Sequence, residues 1–402
     1  MTAMGVGMAW FYSIFFLPAL LNVLPISKSK TYRKEKISRM ASLSTFVVRQ
    51  RILILGVATV TTIGCGLGLM GMEFRNNWLD WFKPTTEFRQ DAQFVSENLS
   101  GINALEFSIP AKGSGGITEP EYLETLDRFG TWVREQPHVD HVHTLADHIK
   151  RLNMNMHGDD RNAYALPGDA ATAAQYLLLY EMSLPYGQDL NNEINVDKSA
   201  TRVLIITQDN DSEDVNTMKE ACETWLIDNA PGYMASKGTG NGVMFASIAE
   251  STIRSIAIST PIALAAVSLL LIVVFKSVRF GLISLIPNLV PIVAAFGLWG
   301  YLFGRIDFGV ACVAGLSIGI VVDDTVHFMS KYLRARREQN LGPEDAVHYA
   351  LVNVGPALIT TSLALIAGLS VMQLSSFNFN AHMGLLAAIS IALALIADLF
   401  LL

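Results

Sequence analysis

Four apolar stretches lie close together at residues 255–275, 279–303, 308–330 and 355–374. Each is long enough, or nearly so, to cross a hydrocarbon core of roughly 30 Å, which takes ~20 apolar residues. In lipid every backbone N–H and C=O has to find its partner within the protein, so such segments fold as bundled helices. Three further stretches, 1–24, 51–72 and 380 to the end, extend the pattern, the first of them without flanking polar residues. The chain is 51% hydrophobic and only 16% charged, whereas soluble domains carry about 25% charged residues. The apolar residues gather at the two ends and leave a polar middle.

The net charge of −7 comes mostly from that middle, where acids outnumber bases roughly two to one. No basic face of useful size exists, which excludes nucleic acid as a partner. Cys65 and Cys312 lie in apolar runs and Cys222 in an expected soluble helix, with no CxxC spacing, so they read as packing residues. The apolar start ends in Pro25 and a basic stretch, the opposite order to a signal peptide.

The connections set the orientation. Lys28, Lys30, Arg33, Lys34, Lys36, Arg39, Arg49 and Arg51 crowd the first, Lys276 and Arg279 flank the second of the same parity, and Lys331, Arg334, Arg336 and Arg337 follow the 308–330 helix. The positive-inside rule makes these loops cytoplasmic. Segment 73–250 is then outside, which is the periplasm in a double-membrane bacterium.

In that segment, Ala104–Ile109 and His138–Thr144 read as strands around a helix at Glu119–Glu135, opened by Thr118 and Pro120. Arg202–Thr207, a helix over Ser212–Asn229 and a strand near Tyr233–Lys237 repeat the arrangement. Two strand–helix–strand units make an α+β ferredoxin-like domain. Residues 145–200 form a helical insertion, with a helix at Ala171–Glu181. His138, His141, His143, His148 and His157 make this region histidine-rich. Imidazoles at short spacing can converge on zinc, but no cysteine or fixed carboxylate spacing accompanies them. A decorated strand edge running into a helix is the plainer reading, and no metal site is expected.

The chemistry concentrates in Gly315-Leu-Ser-Ile-Gly319-Ile-Val-Val-Asp323-Asp324-Thr-Val-His327. Spacing by four aligns Gly315, Gly319, Asp323 and His327 on one helical stripe. The glycines admit a neighbouring helix closely, in the manner of small-xxx-small pairs. Asp324 is turned away by about a quarter turn, so the two acids face different neighbours. An acid at the bilayer centre costs about 2.5–3.5 kcal/mol on insertion scales, and intramembrane acids mark proton relays and ion paths. His327 either extends such a relay or sits at the interface near Lys331. Pro287, Asn288 and Pro291 interrupt one helix. Pro356, Thr360, Thr361 and Ser362 mark another, where hydroxyls can serve freed carbonyls or simple helix contacts. Asp398 is a further intramembrane acid. Ser13-Ile-Phe-Phe-Leu17 echoes Asp398-Leu-Phe-Leu-Leu402, as if the chain began near the end of one repeat and stopped near the end of the next.

Gly319-Ile-Val-Val-Asp323-Asp324, Ile286-Pro287-Asn288-Leu289-Val290-Pro291 and Asp398 resemble the RND superfamily. The likeness is to its lipid- and hydrophobe-exporting branch, related to the mycobacterial membrane-large proteins and the hopanoid exporters; Patched and Dispatched share that intramembrane core. It covers essentially the whole chain and implies the C-terminal half of such a transporter. Residues 1–24 would be the truncated last helix of the first repeat, 25–50 a basic cytoplasmic linker and 51–72 a transmembrane helix. Residues 73–250 would be a periplasmic porter-like domain, and 251–402 a five-helix transmembrane bundle. Carried over, Asp323 and Asp324 are the proton-coupling residues, with His327 and Thr361 beside them and Asp398 in the last helix.

The resemblance implies protons as the coupling ion and no other cofactor. Its partners would be a lipid or hydrophobic small molecule, the missing N-terminal repeat, and periplasmic proteins or further copies of the transporter. It places the chain in a bacterial inner membrane as a multi-pass exporter rather than an enzyme. The rival readings are a sterol-sensing-like lipid-binding regulator and a SecDF-like accessory of protein translocation.

Overall fold

The computed structural model describes residues 2–23, 30–75, 77–185, 187, 189–208 and 211–402. The chain opens with helix α1 (Thr2–Phe11), which runs through a π-helical turn at Tyr12–Phe16 into α2 (Leu17–Val23). The large side chains here, among them Trp10, Phe15 and Phe16, are exposed. The linker expected at 25–50 contains a helix, α3 (Lys30–Arg49). Val47 and Ser44 of α3 are buried. Helix α4 (Arg51–Leu69) follows and is long and apolar enough to cross a membrane.

The chain then leaves the bundle through a two-residue strand β1 (Glu73–Phe74) and helix α5 (Glu87–Asn98). A sheet domain is built from β2 (Asn103–Pro110), α6 (Pro120–Arg134), β3 (Val139–His143), α7 (Leu145–Met156), α8 (Ala170–Ser183), β4 (Ala200–Thr207), α9 (Ser212–Asn229) and β5 (Gly238–Thr239). All strand pairs are antiparallel, and the sheet order is β3-β4-β2-β5. That is the ferredoxin-like order of two interleaved strand–helix–strand units.

Strict alternation puts Leu105, Phe107 and Ile109 of β2 and Val203 and Ile205 of β4 on one face. Leu123, Leu126, Phe129 and Val133 of α6 and Cys222 and Leu226 of α9 join them in one core. Burial pushes the Cys222 thiol up to about 12, in keeping with a packing role. The fourth strand lies beyond the expected Tyr233–Lys237. Pro231 instead leads into a 3-10 turn, Gly232–Met234, which drops Met234 into the core, and the chain meets β2 only at Gly238 and Thr239.

Helix α10 (Asn241–Phe275) is continuous across the junction. Val243 belongs to the core of the sheet domain, whereas Leu271 and Phe275 belong to a cluster in the bundle. The helix that holds the apolar run expected from residue 255 therefore begins earlier, at Asn241, because it serves both parts. After it come α11 (Val278–Ile283), α12 (Leu285–Phe303), β6 (Arg305–Ile306), α13 (Phe308–Glu338), α14 (Pro343–Val371) and α15 (Asn378–Phe400). The interruption expected around Pro287 falls at Ser284, between α11 and α12. Among the described residues six helices are long and apolar enough to span a membrane, α11 and α12 counting together.

The bundle's two ends differ. At one, Arg337 donates to Phe275 O at 2.7 Å, Arg51 pairs with Glu344 at 3.2 Å, and Ser44 meets His348 Nδ1 at 2.6 Å. At the other, β1 pairs in parallel with β6, Phe82 bridges Phe377, and Lys83 Nζ donates to Gln373 O at 2.9 Å. The described basic connections at residues 49–51, 276–279 and 334–337 share the first end, and the sheet domain joins the second; Lys28 lies outside the described residues.

Candidate intramembrane carboxylate site

Three helices meet through polar side chains in the interior of the bundle. Thr325 is fully buried on α13, with its hydroxyl 2.6 Å from Asn288 Oδ1 of α12 and 3.2 Å from Asp398 Oδ1 of α15. Asn288 and Asp398 are each 1% exposed. Asn288 Nδ2 and Asp398 Oδ2 have no hydrogen-bond partner within the protein. Burying unmatched polar atoms costs stability, so a cluster of this kind persists where something else requires it. Protonation would convert an Asp398 oxygen from acceptor to donor, which alters the pairing of all three groups.

Asp324, one residue before Thr325, is half-buried and accepts a 3.2 Å hydrogen bond from Ser362 Oγ on α14. Asp323 points elsewhere. Its side chain is 74% exposed and lies 3.6 Å from His327 Nε2, one turn along. The 100° step between neighbouring helix positions thus separates the pair into an inward acid and an outward one. Gly315 and Gly319 lie on the outward face with Asp323 and His327. A Cβ added at either glycine would meet no atom within 4 Å, so no helix among the described residues covers the two glycines.

Thr361 does not join the acids. Its hydroxyl turns back onto its own helix, 3.0 Å from both Ala357 O and Leu358 O, while Ser362, buried and a third of a turn away, makes the contact to Asp324. Sequence spacing did not single out Thr325 as a partner of Asp398. The available signal was its place directly after the acid pair, on the face opposite Asp323.

The arrangement offers three carboxyl groups in different surroundings: Asp323 on the open face, Asp324 against α14, and Asp398 in the interior. Hydroxyls of Ser362 and Thr325 contact the two inner acids. Such a set can hold protons at separate positions and respond when the packing of α12, α13, α14 and α15 changes.

The MMPL family model matches residues 191–402, more than half of the chain. A membrane protein of Methanocaldococcus jannaschii is 25% identical over 164 residues, covering 41% of this chain and 42% of that protein. Among solved structures, the hedgehog release protein Disp from the water bear Hypsibius dujardini matches with a TM-score of 0.55 at 15% identity. The match covers 92% of this chain and 49% of that one, and it bears on the fold. The chain therefore spans half or less of the length of these relatives. Its membrane-spanning helices and the match over its C-terminal half make the chain a multi-pass membrane protein belonging to the MMPL family.

Proposed function

We propose that this chain acts as the C-terminal half of a proton-motive-force-driven exporter of a lipid-like or amphiphilic substrate. The observation that carries the reading is the carboxylate set: an exposed Asp323, a half-buried Asp324 and a fully buried Asp398 on two adjacent helices. Intramembrane acids are costly to insert, and proton relays are their common use. The open stripe of Gly315, Gly319, Asp323 and His327 is the surface on which the first repeat would pack, completing the proton path.

An apolar cleft of about 300 Å³ supports the choice of substrate. It lies between α4, α12 and α15 and is lined by Val57, Val290, Ala294, Leu393, Ala397 and Phe400. Ala397 is the chain neighbour of Asp398, so an acyl or sterol-like body in the cleft would press on the turn of α15 that carries the buried acid. In this scheme the basic end of the bundle faces the cytoplasm. The sheet domain then handles substrate on the far side, which is the periplasm if the host has two membranes. Continuous helix α10 would carry movement between acids and domain.

The reading is tested on the full-length transporter in proteoliposomes, with the lipid that co-purifies with it, identified by mass spectrometry, as cargo. Asp323→Asn and Asp324→Asn should each abolish export driven by a pH gradient while leaving insertion and folding intact. Unchanged export in both variants rejects proton coupling. A sterol-sensing-like module would bind the lipid without gradient-driven movement, and a SecDF-like accessory would respond to a translocating polypeptide instead.

A further inference from the structure

The sheet domain holds a cluster that the intramembrane acids do not involve. Strand β3 ends at His143, and Thr144 caps α7, so the chain reverses and brings His148 back beside the strand end. Thr144 Oγ1 accepts from Asp147 N at 3.3 Å, and Asp147 Oδ2 accepts from Arg134 Nη2 at 2.5 Å, which fixes the first turn of α7. From far along the chain, the 3-10 turn Leu190–Asn192 delivers Glu193 to the same place. Its backbone is held on both sides, the N–H donating to Leu190 O at 2.8 Å and the C=O accepting from Arg202 N at 2.7 Å.

Four potential ligand atoms converge there, two imidazole nitrogens and both oxygens of one carboxylate. His143 Nε2 and His148 Nε2 are 2.8 Å apart, His143 Nε2 is 3.2 Å from Glu193 Oε1, and His148 Nε2 is 3.0 Å from Glu193 Oε2. The rings cross at 88°, so they meet edge-on rather than stacked. Hydrogens cannot satisfy all three contacts together. If both Nε2 atoms carry protons for the carboxylate, two donors face each other across 2.8 Å. If only one does, the other imidazole nitrogen and the carboxylate oppose each other as two acceptors. A cation between the three side chains turns every contact favourable. Tetrahedral zinc, with bonds of about 2.0–2.2 Å, holds its ligand atoms roughly 3.3 Å apart, close to the nitrogen–nitrogen and nitrogen–oxygen separations found here.

We propose that His143, His148 and Glu193 form a binding site for a divalent transition-metal ion of the zinc class. Two imidazoles and a carboxylate favour zinc and its neighbours over calcium or magnesium, and without a thiolate the set does not favour copper(I). The three side chains are 31%, 23% and 27% exposed, so an ion can enter from solvent and keep a fourth position for water or a ligand. Once bound, it joins β3, α7 and the segment entering β4, pinning the helical insertion to the sheet.

The test uses the full chain in detergent, stripped with a chelator, equilibrated with zinc, passed through gel filtration and assayed for metal by mass spectrometry. About one zinc per chain is expected. His143→Ala, His148→Ala and Glu193→Gln should each weaken binding at least tenfold, whereas His138→Ala and His157→Ala should not. Wild-type protein without retained zinc, or a His143→Ala/His148→Ala double variant that keeps it, overturns the proposal. Cobalt(II) decides the matter on wild-type protein alone, whatever the variants' folding. Intense visible bands of a four-coordinate centre support the site, and the weak spectrum of six-coordinate cobalt refutes it.

Discussion

The Thr325 hydroxyl lies 3.2 Å from Asp398 Oδ1, joining α13 to α15 in the interior of the bundle. The same hydroxyl is 2.6 Å from Asn288 Oδ1, yet it has a single proton to give. It serves one acceptor at a time, and the protonation of Asp398 determines which is better served. Thr325→Val keeps the shape and removes the hydroxyl, leaving both partners less satisfied. The expected loss is about 1–3 kcal/mol of stability, seen as a lower melting temperature in detergent, whereas Thr325→Ser should stay close to wild type. A valine variant as stable as wild type would show that the hydroxyl carries none of the packing.

Helices α4 and α12 touch backbone to backbone along a glycine seam. A Cβ at Gly297 would come within 1.9 Å of Cys65 O, and one at Gly68 within 2.3 Å of Gly297 O. Gly297→Val should therefore force the helices apart and cost about 1–3 kcal/mol or more. Thermal denaturation and gel-filtration profiles report this, and a variant with an unshifted melting temperature contradicts the close approach.

Gly315 and Gly319 should behave in the opposite way. Neither has a neighbour within 4 Å of an added Cβ among the described residues, so Gly319→Ala in the 402-residue chain should be neutral or stabilise by up to about 1 kcal/mol, as alanine does in a helix. Under the proposed packing of a first repeat on the stripe, the same change should destabilise the full-length protein. Equal effects in both contexts would mean that nothing packs there.

The His143–Glu193 pair sets a pH dependence for the metal-free domain. The Glu193 carboxylate raises the His143 pKa above its ordinary 6.5, against the opposing effect of burial, with nearby Asp147 raising it further and Arg134 lowering it. Hydrogen bonds from His143 and His148 hold Glu193 well below its ordinary 4.5. The histidine contribution is complete below about pH 6.5 and is lost as pH rises through the raised value. The glutamate contribution is complete above about pH 4.5 and is lost as pH falls through the lowered value. With chelator present, the pair should therefore stabilise the fold most between these limits, and the decline above them should flatten in Glu193→Gln. Melting curves across pH that are superimposable for wild type and variant would remove the pair from the stability profile.

The long apolar helices, the alternating strands β2 and β4 and the different facing of Asp323 and Asp324 could all be read from period and hydropathy. Those signals are local. The contact between Asp324 and Ser362 rather than Thr361 depends on the phase of α14 to within a third of a turn, which a run of hydroxyl residues does not define. Thr325, Asn288 and Asp398 come from three helices, and only the packed bundle brings them together. Glu193 escaped notice as the missing carboxylate of the histidine cluster because the insertion separates it from His148. The β1–β6 pair is two residues per strand, too short to leave an alternating pattern.

Proton movement through the acids can be followed directly in vesicles containing the full-length transporter and a pH-sensitive dye in the lumen, after a pH gradient is imposed. Wild-type protein should dissipate the gradient in the presence of cargo lipid, and Asp324→Asn, which keeps a side chain able to meet Ser362 but removes the proton-binding carboxylate, should not. Equal rates of dissipation in wild type and Asp324→Asn would contradict proton coupling through the acid pair.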